Sequence, residues 1–146
     1  MIEEFQNKYR FLSNFYYSPV EYEGIIYPSN EHAFQAAKTL DIETRKIMSK
    51  INTPDEVKHY GRRVDLRKDW EDVKLQVMYD IVKIKFFSNE ILKRKLIDTY
   101  DEELVEGNYW NDFYWGICKG KGENHLGKIL MKVREELVSN NRRSIV

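Results

Sequence analysis

The stretch DWEDVKLQVMYDIVKIKFF, Asp69–Phe87, is the longest periodic segment of the chain, and its reading decides the fold class. Val73, Val77, Ile81, Ile84 and Phe87, joined by Met78 and Val82, recur at the three- and four-residue spacing of a helix that buries one face. This is expected to be the central helix. Immediately after it, Ser88-Asn89 breaks the pattern and caps a helix over Glu90–Ile97. Leu104–Cys118 is rich in aromatics, poor in helix formers and reads as strand and loop. A last helix starts near Asn124 and carries Leu126, Ile129, Leu130, Val133 and Leu137 on one face, and the tail SNNRRSIV is expected to fray.

Upstream of the central segment, Thr53-Pro54-Asp55-Glu56 joins a capping hydroxyl, a proline at the first helical position and a glutamate three residues after the cap. That is a specific helix start, and Gly61 ends the helix. Asp41 can cap a helix through Ile51, and Ser29 one from Asn30 to about Leu40. Before these, VEYEGIIY (Val20–Tyr27) places β-branched and aromatic residues on both sides of Glu23-Gly24, the pattern of a short hairpin. The sum is a mainly helical α+β single domain over residues 1–146 with a small antiparallel β element.

Composition narrows the function classes. Of 146 residues, 42% are hydrophobic and 14% aromatic, enough large side chain for a packed core. Lys plus Arg and Asp plus Glu both total 24, so a polyanion would have to be met by local clustering rather than by net charge. The lone cysteine, Cys118, cannot form an internal disulfide. The charged start MIEEFQNKYR has no apolar core of a leader, and no stretch approaches the roughly 20 apolar residues that span a bilayer. A reducing cytoplasmic compartment with no membrane partner is the expectation.

Several chemical motifs fail on their details. Gly122–Lys128, GENHLGK, matches a phosphate-binding loop until its last position, where Ile129 replaces the hydroxyl that would meet magnesium. His32, His59 and His125 stand apart from one another, with no HExxH and no CxxC, so no metal is expected. A Cys–His nucleophile built on Cys118 has no local signature.

Three other clusters carry chemistry. In SNEHAFQAAKTL, Glu31, Gln35 and Lys38 fall at offsets of four and three and stack on one helix face. From spacing alone, polar residues in such a column are more often a solvated stripe than a site. Glu31 lies in the first turn, where the helix dipole favours an ionised carboxylate suited to a base or a cation stabiliser. In GRRVDLRKDW, Arg62, Arg63, Arg67 and Lys68 form a cationic loop that can clamp phosphate or simply be solvated, and Trp70 can be core or can stack on a flat base. In EGNYWNDFYWG, Glu106 and Asp112 lie among Trp110, Tyr114 and Trp115, a composition shared by ring-binding sites and by ordinary core strands.

Taken in order, Arg10-Phe11-Leu12-Ser13-Asn14-Phe15-Tyr16, Glu31-His32-x-x-Gln35-x-x-Lys38, Gly61-Arg62, Arg67-x-x-Trp70, Lys85-Phe86, Asp112-x-x-Trp115-Gly116, and Asn124-x-Leu126-Gly127 with Leu130-Met131-x-x-Arg134 closely resemble the NADAR (NAD- and ADP-ribose-linked), or YbiA-like, family. The resemblance covers nearly the whole chain. It implies an N-glycosidase, needing no cofactor, that acts on a ribose joined to an exocyclic amine. The substrate would be a small ribosylaminopyrimidine phosphate of riboflavin biosynthesis, or ADP-ribose on a guanine base, which could lie in DNA. It further implies catalytic roles for Glu31, Lys38, Trp70 and Asp112, and substrate binding by Arg10, Asn14, Phe15, Gln35, Arg62, Arg67, Trp115 and Asn124. The family pattern varies in ICKGKGE, between Trp115 and Asn124.

Opening the sugar to an imine and expelling the base through an oxocarbenium-like state both build positive charge on the sugar. A carboxylate can stabilise that charge or activate water, and Lys38 can attack an opened sugar to give a Schiff base. The sequence leaves the two open. The competing class is a binding module for ADP-ribose or nucleotides without catalysis, which would need the arginines and Trp70 but not two carboxylates.

Overall fold

A computed structural model of the chain describes residues 1–145, with side chains through Arg142. The order of elements is a 3₁₀ segment (Asn7–Leu12), β1 (Tyr17–Tyr22), β2 (Ile25–Ser29), α1 (Asn30–Ala36), α2 (Ile42–Ser49), α3 (Pro54–Gly61), α4 (Trp70–Ser88), α5 (Glu90–Ile97), β3 (Gly107–Asn108), β4 (Ile117–Cys118) and α6 (His125–Ile145). The architecture is α+β and mainly helical, with a small antiparallel hairpin. Among the described residues no helix is long and apolar enough to cross a membrane.

Two compact units divide the chain. Unit 2, Asn14–Lys85, holds β1, β2, α1, α2, α3 and most of α4. β1 and β2 pair antiparallel through Val20 with Tyr27 and Tyr22 with Ile25. The connecting Glu23 and Gly24 have φ of 48° and 86°, the left-handed pair that a tight hairpin turn of matching twist requires. Ser18, Val20 and Tyr22 alternate inward along β1. Each short helix is started by the cap its sequence offers: Ser29 accepts from His32 N, Asp41 from Thr44 N and Thr53 from Glu56 N. Phe34, Met48, Val57, Met78 and Ile81 are among the unit's buried side chains.

α1 is shorter than its sequence suggests, ending at Ala36 rather than near Leu40. Beyond it the amides of Lys38 and Thr39 turn back to Gln35 O and Ala36 O at 3.2 Å each, a tightened last turn. α2 likewise stops at Ser49, two residues before the expected Ile51. His32 is buried and fixes α1 to the segment ahead of α3, its Nδ1 2.7 Å from Ser29 Oγ and its Nε2 2.8 Å from Ile51 O. A neutral ring protonated on Nε2 satisfies both contacts, and burial lowers its pKa from 6.5 despite the Ile51 carbonyl.

Unit 1 comprises Met1–Ser13 and Phe86–Val146. Ile2 bridges Leu104 in parallel, through Ile2 N to Glu103 O at 2.8 Å and Val105 N to Ile2 O at 2.9 Å. Asn89 caps α5 by accepting from Leu92 N. On α6, Leu126, Leu130, Val133 and Leu137 are buried, as their spacing implies, and Arg134 donates to Thr99 Oγ1 and Glu102 O at 2.9 Å each. Apart from the bridge at Leu104 and one between Cys118 and Lys121, the aromatic segment is loop around the two-residue parallel pair β3–β4. The helical tail runs to Ile145 instead of fraying from Ser139, while Val146 and its part in that expectation lie outside the described residues.

Candidate active site

In unit 2 the acid and amide of α1 face inward. Glu31 is 7% exposed and Gln35 5%, so the solvated-stripe reading does not hold. Gln35 Nε2 donates to Glu31 Oε1 at 2.8 Å, the i to i+4 contact that their spacing allows. Gly61, at the end of α3, makes this pairing possible. A Cβ there would collide with Gln35 Oε1 and lie 2.9 Å from its Cδ. The glycine that ends α3 therefore also fits that helix end against the amide.

Lys38 stands just past the end of α1, half-buried. Burial lowers its pKa from 10.5, Glu31 opposes that by favouring the ammonium, and Arg62 and Lys58 lower it further. The amine thus lies within electrostatic reach of both the carboxylate and the cationic loop. Its segment is held from outside. Lys38 O accepts from Arg67 N at 2.8 Å, and Ala37 O from Arg67 Nη1 at 3.5 Å. The rest of the Arg67 fork lies on Asp69, with Nε to Oδ1 at 2.7 Å and Nη2 to Oδ2 at 3.1 Å. Arg62 is exposed. Trp70 is 6% exposed and tilts against Phe34, the ring centroids 5.2 Å apart. Asn14 is buried, its backbone carbonyl accepting from Glu31 N at 3.0 Å and its Nδ2 meeting Met78 Sδ at 3.4 Å. Lys58 Nζ lies 5.8 Å from the ring centroid of Phe15.

In unit 1 the aromatic loop is organised around Asp112. Its Oδ1 accepts from Tyr114 N at 3.1 Å and Trp115 N at 2.9 Å, while Asn108 brackets its backbone through N at 3.1 Å and O at 2.9 Å. Trp115 is half-buried and meets Tyr114 edge-on with centroids 4.8 Å apart. Asn124 is buried and joins two strands of loop by donating to Leu104 O and accepting from Glu106 N, both at 2.9 Å. Arg10, in the 3₁₀ segment, is exposed. Among the described residues no group of three or more His, Cys, Asp or Glu side chains is arranged to hold a metal.

The domain model described as NADAR matches residues 2–138. The chain belongs to the NADAR family. Over 128 residues it is 41% identical to the N-glycosidase YbiA of Escherichia coli K12, a match covering 86% of this chain and 79% of that one. It is 38% identical over 130 residues to the riboflavin biosynthesis protein VVA0006 of Vibrio vulnificus, covering 87% of this chain and 35% of that protein. The fold agrees with the NMR structure of E. coli YbiA at a TM-score of 0.84 and 36% identity, over 97% of this chain and 89% of that one. Its enzymatic class is that of the N-glycosidases, which hydrolyse N-glycosyl bonds.

For this NADAR chain, three features escape sequence reading. Gly61 reads as a helix terminator, and its contact with Gln35 has no local signature. His32, inside the Glu31–Lys38 motif, is a structural pin for α1. Arg45, on the polar-looking α2, is 3% exposed and reaches Thr39 O with Nε at 2.8 Å. A cation at such a position is solvated in most helices, and only its long-range partners reveal otherwise.

Proposed function

We propose that the chain cleaves the bond between C1 of a ribose phosphate and the exocyclic amine of a pyrimidine, with Glu31 and Lys38 as the groups that act on the sugar. The observation that carries this reading is the buried Glu31 carboxylate, oriented by Gln35 at 2.8 Å and electrostatically coupled to a half-buried Lys38. The riboflavin-pathway name of the V. vulnificus relative favours a small pyrimidine substrate.

In this mechanism the exocyclic nitrogen pushes its lone pair to C1 while the ring oxygen leaves and takes a proton, opening the sugar to an iminium. The neutral Lys38 amine attacks C1, the pyrimidine amine departs with a proton, and Lys38 holds the sugar as a Schiff base. Water then adds to that carbon, and the free sugar phosphate leaves as Lys38 is restored. Glu31 faces the positive charge at each stage and relays the protons. Burial, which disfavours the Lys38 ammonium, favours the neutral amine that this attack requires. In unit 1, Asp112, a catalytic position by family likeness, presents a carboxylate held in one orientation by two backbone amides. Trp70 backs the α1 face through Phe34. Arg62 is the phosphate-binding arginine of this reading, because the fork of Arg67 is engaged with Asp69.

Incubation with the ribosylaminopyrimidine phosphate and, separately, with DNA carrying ADP-ribosylated guanine, followed by mass spectrometry, tests the assignment. Release of ribose phosphate from the first is expected. Release from the DNA alone moves the substrate to ADP-ribosyl-guanine, and binding of either without release makes the chain a silent binding module.

A further inference from the structure

Three consecutive carbonyls follow α1, and each is held by an arginine. Ala37 O and Lys38 O accept from Arg67, and Thr39 O accepts from Arg45 Nε at 2.8 Å. Arg45 lies on α2, six residues beyond Thr39, and is almost fully buried. Its Nη1 reaches Glu23 Oε1 at 2.9 Å, in the turn between β1 and β2, where the Glu23 side chain remains 54% exposed. One guanidinium therefore joins the hairpin turn to the peptide that follows Lys38.

Burying a guanidinium is costly unless its charge and donors are used. A core that needed only volume at this position would be served by leucine or methionine. The fork instead takes two acceptors in fixed directions through Nε and Nη1, one of them a backbone carbonyl that α1 cannot satisfy after it ends, while Nη2 is buried without a partner among the described residues. The amides of Lys38 and Thr39 are held by the last turn of α1, and the carbonyls of the same segment are held by these arginine donors.

We propose that Arg45 is a positioning residue for Lys38: anchored by Glu23, it fixes the Thr39 carbonyl and with it the backbone from which the Lys38 side chain projects. The proposal rests on Lys38 acting in the glycosidase reaction only for its kinetic readout. Where the Lys38 amine lies, and how buried it is, can be measured without turnover.

The test uses the full chain carrying Arg45→Lys, which keeps the charge but cannot reach both acceptors with a planar fork, and separately Glu23→Gln, an exposed change that leaves Arg45 in place. Reductive methylation with formaldehyde and cyanoborohydride, resolved at Lys38 by mass spectrometry across pH, reports the accessibility and pKa of that amine. Turnover of the ribosylaminopyrimidine phosphate gives kcat and KM. Arg45→Lys is expected to raise the pH midpoint of Lys38 labelling toward that of an ordinary lysine and to lower kcat roughly ten- to a hundredfold with KM within about twofold. Glu23→Gln is expected to shift both in the same direction by less. Folded Arg45→Lys with the wild-type labelling profile overturns the proposal. If Arg45→Lys does not fold, an unchanged profile in Glu23→Gln overturns it instead. Should the wild type turn over no ribosylamine, the function proposed above fails, while the labelling arm still decides the positioning role.

Discussion

At Gly61 the requirement for glycine is one of space. A methyl group there would occupy the position of Gln35 Oε1, so Gly61→Ala must either push Gln35 off Glu31 or move the end of α3. The expected outcome is a loss of about 1–3 kcal/mol of stability, the ordinary cost of overpacking, measured by urea unfolding. A fall in kcat at temperatures where the variant is fully folded should accompany it. Neighbouring Arg62 behaves differently, being exposed yet close enough to depress the pKa of Lys38. Arg62→Ala is expected to raise KM for a phosphate-bearing substrate about tenfold, with a smaller fall in kcat because the Lys38 ammonium is then favoured. Steady-state kinetics check this, and an unchanged KM would move the phosphate site elsewhere. Neither the role of Gly61 nor the hold of Arg67 on Ala37 O was legible in the sequence, because these depend on contacts with residues 26 and 30 positions away.

Among the elements, local signals and distant ones part company at α1. The hairpin turn, α3 and α5 start and stop where their caps and turn residues indicate, since Glu23-Gly24, Thr53-Pro54 and Asn89 act within three or four residues. α1 begins at the expected Ser29 cap but ends early, as the amides of Lys38 and Thr39 turn to the i−3 carbonyls of Gln35 and Ala36, and the carbonyls that follow are taken by Arg67 and Arg45. With seven residues it is too short to be stable alone and depends on its cap, on His32 and on packing. Ser29→Ala removes both the cap acceptor and the partner of His32 Nδ1. It is expected to cost about 1–2 kcal/mol, read from the denaturation midpoint. The aromatic segment could be read as strand and loop but not resolved further, since β3 and β4 contribute only two residues each and the rest is ordered by side chains such as Asn108 and Asp112.

For the whole molecule, buried titratable groups shape stability against pH. His32 has a folded-state pKa below 6.5, so its contribution is complete above 6.5 and is lost as the pH falls toward the folded value. Lys85 on α4 is 1% exposed, and burial pulls its pKa from 10.5 to about 7. Between these values the unfolded chain binds the extra proton, so stability rises with pH from about 7 toward 10. Tyr22 and Tyr27 are raised by burial from 10 to about 12, and their contribution is present below 10 and lost above it. Chemical denaturation across pH should therefore show stability falling below pH 6.5 and peaking in mildly alkaline buffer. Lys85→Met should flatten the rise above pH 7, a change on the order of a few kcal/mol. A profile that peaks near pH 6 in both proteins would contradict this assignment.

The central claim is that Glu31 and Lys38 together open and hold the sugar. Borohydride added during turnover of the ribosylaminopyrimidine phosphate, followed by peptide mass spectrometry, tests it most directly. A reduced sugar-phosphate adduct on Lys38 is predicted for the wild type. Lys38→Arg should lose both adduct and activity, because a guanidinium stays protonated, and Glu31→Gln should lose activity by at least about a hundredfold. An active Lys38→Arg enzyme that traps no adduct would contradict the covalent account and leave a carboxylate to activate water directly.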